Sequence, residues 1–277
     1  MLRIIIDSSA NIFQSEAEEL GIKILPLGIS FEDEHYLDDV NISIDEFYNK
    51  LTTTKIFPKT CLLSMEVLEN EFEDAKKAGD DVLLMVISSK LSGTYNCARL
   101  VKEQGNYENV YIYDTLGATG KNRILVDVAI KNKDKNPEEI IKILDEVREN
   151  TRVFASLDTL EYLARGGRLS KASATIGNML SLKPILSVEP DGTLDVKAKV
   201  IGLNKAIATV KTLVEKEGGI NTEYPVYFLY SMTQANGEKI KAQYSSLENT
   251  KLINLCSVIG AHIGPGVAGI CFVKNNK

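Results

Sequence analysis

The chain has no tryptophan and only two histidines, His35 and His262, among its 277 residues. Its four cysteines (Cys61, Cys97, Cys256, Cys271) lie far apart and form no C-x-x-C pair. A Cys/His zinc site therefore has no ligand set, and no metal is expected. No apolar run approaches the ~20 residues of a membrane span, so stable membrane insertion is not expected either. Positive charge is in deficit: 32 basic residues against 38 acidic ones leave a net charge of −6. That balance argues against nucleic acid or an anionic membrane as the main partner. A strand is expected directly over 2–6, without the basic and apolar regions of a signal peptide. The expected compartment is a reducing cytoplasm.

What is present is an ordinary globular composition, 44% hydrophobic and 25% charged, in a chain longer than one average domain. The organising stretch is Val82-Leu83-Leu84-Met85-Val86-Ile87, six apolar residues without alternation. Such a run reads as a strand buried on both faces, the kind found in parallel sheets. It stops at Ser88-Ser89-Lys90-Leu91-Ser92-Gly93-Thr94, and a helix is expected over 95–104. A strand that turns into a helix leaves backbone N–H groups and a positive dipole end at the sheet's carboxyl edge, where small anions bind. Residues 88–94 are thus a candidate anion site. The alternative is that Ser92 merely caps the helix.

Strand-then-helix units repeat through the first half, with Asp7/Ser8, Ser88/Ser89 and Asp114/Thr115 at strand ends. Three such ends on one rim make a polar lip. An extended run is expected over 22–30, an acidic loop over 32–39 and another loop over 57–64. Ser43 and Glu46 predict a capping box, Ser64 a cap for a helix over 65–78, and Pro137 the first turn of a further helix. The second half reads differently. Runs at 185–188 and 193–200 flank Glu189-Pro190-Asp191-Gly192, a hairpin signal. Helices over 205–217 and 237–246 and strands over 153–157, 226–230, 252–257 and 269–273 complete it. The fold class is α/β in two domains: a parallel-sheet α/β/α domain over 1–150 and a mixed-sheet α/β domain over 151–277.

Gly264-Pro265-Gly266-Val267-Ala268-Gly269 matches G-x-G-x-x-G literally, but the eight residues after it are too few for a βαβ unit. It reads instead as a glycine loop that positions His262. Ser92 and His262 together raise the alternative of a serine hydrolase of acyl esters, although the G-x-S-x-G elbow is absent. Between 165 and 188 lie Arg165, Arg168, Lys171 and Lys183 with no acid until Glu189. Two arginines around Gly166-Gly167 suit phosphate or carboxylate contacts. Leu169, Ile176, Met179, Leu180 and Leu182 in the same segment line a cavity or belong to the core.

Taken together, these motifs resemble the DegV family of bacterial fatty-acid-binding proteins. The matching pieces are Asp7-Ser8-Ser9, Thr60 through Ser64, Ser88-Ser89-Lys90-Leu91-Ser92-Gly93-Thr94-Tyr95, Asp158-Thr159-Leu160-Glu161-Tyr162-Leu163 running into Arg165-Gly166-Gly167-Arg168, Lys183-Pro184-Ile185-Leu186, Asp191-Gly192 and Gly260-Ala261-His262-Ile263-Gly264-Pro265-Gly266. The resemblance implies one long-chain fatty acid, such as palmitate, held between two domains by a non-enzymatic protein with no other cofactor. It implies a carboxylate contacted by Thr60, Ser92, the Gly93 backbone and His262. Some members serve a fatty acid kinase, and the resemblance places Arg165 and Arg168 near that partner or its phosphate. Three features depart from the family pattern. The loop reads Thr60-Cys61-Leu62-Leu63-Ser64, Asn11 replaces an aspartate, and Ile201 replaces the arginine of a lysine-valine-arginine pattern. The last leaves acid binding intact and argues against acyl-phosphate chemistry.

Overall fold

The computed structural model describes residues 1–169 and 182–275. β1 (Leu2–Asp7) opens the first sheet, and the Asp7 carboxylate accepts the Ser9 N–H to start a 3-10 turn at Ser8–Ala10. α1 (Gln14–Leu20) follows. The extended run at 22–30 does not form one strand. β2 (Lys23–Leu25) pairs in parallel with β1, whereas β3 (Gly28–Phe31) belongs to a separate three-stranded sheet. Pro26 lies between them, and its missing N–H breaks the ladder there. The acidic segment at 32–39 is not a loop throughout: β4 (Glu34–Leu37) pairs with β3 across the two-residue turn Glu32-Asp33. α2 (Ile44–Thr53) starts at the expected capping box, with the Glu46 N–H donating to Ser43 Oγ and the Ser43 N–H to Glu46 Oε2 at 2.9 Å. The segment at 57–64 also contains a strand, β5 (Lys59–Cys61), antiparallel to β3.

α3 (Met65–Ala78) is capped by Ser64 as expected. β6 (Asp81–Val86), α4 (Thr94–Gly105), β7 (Val110–Asp114), α5 (Gly120–Lys131) and α6 (Pro137–Asn150) continue the strand-helix alternation. The sheet order is β2-β1-β6-β7, all parallel. Val82, Leu83, Leu84, Met85 and Val86 are each 2% exposed or less, so β6 is covered on both faces.

The chain then builds a six-stranded sheet. Its elements are β8 (Thr151–Ser156), α7 (Glu161–Arg165), β9 (Leu182–Val188), β10 (Leu194–Ile201), α8 (Leu203–Lys216) and β11 (Val226–Tyr230). α9 (Gln234–Lys241), β12 (Thr250–Asn254), α10 (Ser257–Ile263) and β13 (Ala268–Val273) follow. The order is β10-β9-β8-β13-β11-β12, antiparallel except between β11 and β12. The strand expected at 252–257 stops early, because Ser257 begins α10 instead.

Alternation along these strands sorts the side chains into two sets. Phe154, Ile185, Phe228, Ile270 and Phe272 pack with Ile207 and Val210 of α8 and Ile240 of α9. Val153, Ala155, Leu186, Val188 and Leu229 join the core of the first sheet. α5 contacts β1 on one side and β8, β11 and β13 on the other, and so lies between the sheets. No helix among the described residues is long and apolar enough to cross a membrane.

Candidate functional site

The loop after β6 is pinned by the ends of the neighbouring strands. The Ile87 N–H donates to Asp7 Oδ2 at 2.8 Å, the Ser88 N–H to the Gly117 carbonyl at 2.9 Å and the Ser89 N–H to Asp114 Oδ1 at 3.1 Å. The polar strand ends do share one rim, and they spend their acceptors on this loop. Burial raises the Asp7 carboxyl to about 6 against the opposing hydrogen bonds from Ser9 and Ile87. The loop delivers Ser92 and Gly93 to the N-terminus of α4. Ser92 Oγ lies 2.9 Å from Thr94 Oγ1 and accepts the Thr94 N–H at 3.3 Å. It thus satisfies the first helical amide from two residues back, while Gly93 occupies the capping position. The Gly93 N–H has no acceptor among the described residues.

Thr60 comes from β5 and His262 from the last turn of α10. Although 202 residues apart, their Oγ1 and Nε2 atoms lie 2.8 Å from each other. α10 is fixed by its flanks: the Tyr48 hydroxyl donates to the Leu255 carbonyl at 3.1 Å, and the Ser257 N–H donates to Asp38 Oδ1 at 3.1 Å. The helix ends at Gly264, whose φ of 73° favours glycine. His262 Nδ1 is buried without a hydrogen-bond partner among the described residues. Burial, with help from the Arg168 charge, lowers the imidazole to about 4, so the ring is neutral at pH 7. An orphaned N–H is rarer than an orphaned acceptor, which assigns the proton to Nε2. Nε2–H then donates to Thr60 Oγ1 and leaves the threonine hydroxyl hydrogen available to a further acceptor.

Thr60, Ser92, Gly93 and His262 all line one cavity between the sheets, together with Arg168. The cavity volume is about 170 Å³, below the ~300–1,000 Å³ typical of small-molecule sites, and the space widens to about 1060 Å³ once its open mouth is included. The apolar walls are Leu27, Ile87 and Ala118 from the first half, Val153, Ala155, Leu186 and Val188 on β8 and β9, Leu157 just after β8, and Val258, Ile259 and Ile263 on α10. No carboxylate lines it among the described residues. Arg168 donates from Nε to the Leu91 carbonyl at 3.1 Å and from Nη1 to the Gly166 carbonyl at 2.5 Å, so it braces the serine loop.

Arg165 does not line the cavity. It is exposed, pairs with Glu161 at 2.7 Å and stacks its guanidinium 5.0 Å from the Phe57 ring. Leu169 packs partly buried against the main core, and Leu182 begins β9. Lys171, Ile176, Met179 and Leu180 lie outside the described residues. The hydrolase arrangement is not formed among the described residues: Ser92 bonds Thr94, His262 Nε2 bonds Thr60, and no carboxylate orients Nδ1. Sequence reasoning missed Asp38 and gave no supporting role to Asp7, both 1% exposed. An acid in an acidic segment carries no signal that it is buried.

A family model described as "Uncharacterised protein, DegV family" matches residues 1–275. A DegV domain-containing protein of Clostridium acetobutylicum is 33% identical over 286 aligned residues, which cover 99% of each chain. Among solved structures, a DegV lipid-binding protein of Thermotoga maritima superposes with a TM-score of 0.89 at 28% identity, over 100% of this chain and 99% of that one. A fatty-acid-binding DegV family protein of Thermus thermophilus gives 0.87 at 27% identity, over 99% of both. Matched by the family model over residues 1–275 and by the Clostridium relative over 99% of its length, the chain belongs to the DegV family.

Proposed function

We propose that the cavity holds one long-chain fatty acid and that the protein is a non-enzymatic carrier of it, divided at about residue 150 with the ligand between the two parts. Burial contributes ~0.8 kcal/mol per methylene, so a long tail offers on the order of 10 kcal/mol gross. The tail sets the affinity and the head sets the orientation. The observation that carries this reading is that hydroxyls, Thr60 and Ser92 among them, line a largely apolar cavity with no carboxylate among its described lining residues. Together with the Gly93 N–H they offer donors suited to a carboxylate. His262 acts from behind Thr60, and Arg168 adds the one permanent positive charge among the described lining residues. The lipid and fatty acid binding of the Thermotoga and Thermus relatives supports the same ligand class.

A carrier is favoured over a fatty acid kinase subunit by one residue. Ile201, at the end of β10, is 64% exposed and presents an apolar side chain where the family pattern has an arginine. The reading needs no cofactor besides the acid, and it places the protein in the cytoplasm, with its cysteines unpaired. Replacing Thr60 and Ser92 together by alanine is expected to weaken binding of the acid by about tenfold or more while its methyl ester binds as before. Equal losses for both ligands would remove the carboxylate from the proposed site.

A further inference from the structure

α10 has seven residues, too few for local hydrogen bonds to hold it against the cost of helix nucleation. Its capping residue, Cys256, supplies no side-chain acceptor to the first turn. The acceptor comes from elsewhere in the chain: Asp38 Oδ1 takes the Ser257 N–H across 219 residues. Asp38 is 1% exposed and is itself anchored, its N–H donating to the Leu27 carbonyl at 3.0 Å. On its flank α10 is pressed against α2, since a Cβ at Gly260 would lie 2.6 Å from the Tyr48 hydroxyl and 2.8 Å from the Phe47 ring. That contact limits sideways movement of the helix; Ser231 Oγ holds its carboxyl end by donating to the Gly264 carbonyl at 2.9 Å, and Asp38 fixes where its amino end starts. His262 sits five residues further on, about 7.5 Å along the axis, and its 2.8 Å contact with Thr60 is sensitive to that starting point.

We propose that Asp38 is a positioning residue for the head-group site: by capping α10 it sets the register of His262 against Thr60, and through that contact the preference for a free carboxylate. This inference rests on the fatty acid reading above. Asp7 holds the opposite side of the site in the same manner, through the Ile87 N–H. Two buried acids that do not line the cavity thus each fix a segment that does, Asp38 the helix of His262 and Asp7 the loop of Ser92.

The test compares wild type with Asp38→Ala and Ser257→Pro. The second removes the donor while keeping the carboxylate. Ser257 is the first helical residue, where proline is favoured, and Cys256 already has the φ of −59° and ψ of 162° that precede proline well. Asp127→Asn, at a buried carboxylate that accepts from the Tyr227 hydroxyl away from the site, serves as control. Dissociation constants are measured for a long-chain acid and its methyl ester. Both test variants are expected to lose about tenfold of the acid-over-ester preference, with ester binding within about twofold of wild type, and the control is expected to keep the preference. An unchanged preference in whichever test variant folds, or acid and ester weakened alike, overturns the positioning role. If wild type itself shows no preference for the acid, the head-group reading fails first and takes this inference with it.

Discussion

Gly166→Ala displaces the imidazole without removing a hydrogen-bonding atom. Gly166 has φ −74° and ψ −7°, which any residue adopts, so alanine carries no backbone strain there. Its Cβ would lie 2.4 Å from His262 Nδ1 and 3.1 Å from the Tyr162 carbonyl. Ordinary contact begins near 3.4 Å, so the ring has to give by about 1 Å. The 2.8 Å contact with Thr60 does not survive such a shift in either direction. Losing one neutral hydrogen bond costs about 1 kcal/mol, or roughly fivefold in affinity. Overpacking lowers stability by a further ~1–3 kcal/mol without reaching the tail. Calorimetry with a long-chain acid is expected to show the fivefold loss, and NMR of the imidazole nitrogens a displaced Nε2 resonance. A folded variant that binds the acid as tightly as wild type, with the ring resonances unmoved, would refute the coupling of His262 to the carboxylate.

Two further outcomes follow from the same geometry. Val153 lines the apolar wall, and Val153→Phe takes the room of roughly three methylenes; a long-chain acid should then bind about fiftyfold more weakly and a short one much less, as competition assays with graded chain lengths would reveal. The His262 value, lowered from 6.5 to about 4, means that between those pH values the unfolded chain binds the extra proton and the folded one does not, so this group withdraws about 2 kcal/mol of stability as pH falls from 7 to 4.5. Asp7, raised to about 6, acts with the opposite sign over part of the same window, so the quantity to measure is the urea-unfolding free energy of wild type minus that of His262→Gln, which should rise by about 2 kcal/mol from pH 4.5 to pH 7.

The parts of the fold that were legible in sequence are those where a long periodic signal and a terminal signal agree. The 82–87 run, the Ser43/Glu46 box, the Ser64 cap and the Glu189-Pro190-Asp191-Gly192 turn all mark elements that form. β5 was not legible, because three residues do not make a period and Pro58 beside them reads as a loop. α10 hides for the opposite reason: buried on nearly all sides, Ser257 through Ala261 present no polar stripe, and Gly260 lowers helix propensity. The site shows the same division. Ser92 and Gly93 stand out at the end of a buried strand, whereas the bond between Thr60 and His262 is a product of tertiary folding, and only the family resemblance set these residues side by side. The burial of Asp38 follows from the β3–β4 hairpin, itself unread because its strand is short and acidic.

The most direct test of the central claim is native mass spectrometry of the protein as purified, followed by release and identification of whatever it carries. The hydroxyls and apolar walls of the cavity predict an added mass of one long-chain fatty acid per chain, replaceable by a second such acid in solution. A bare chain that takes up no acid at saturating concentration would contradict the account.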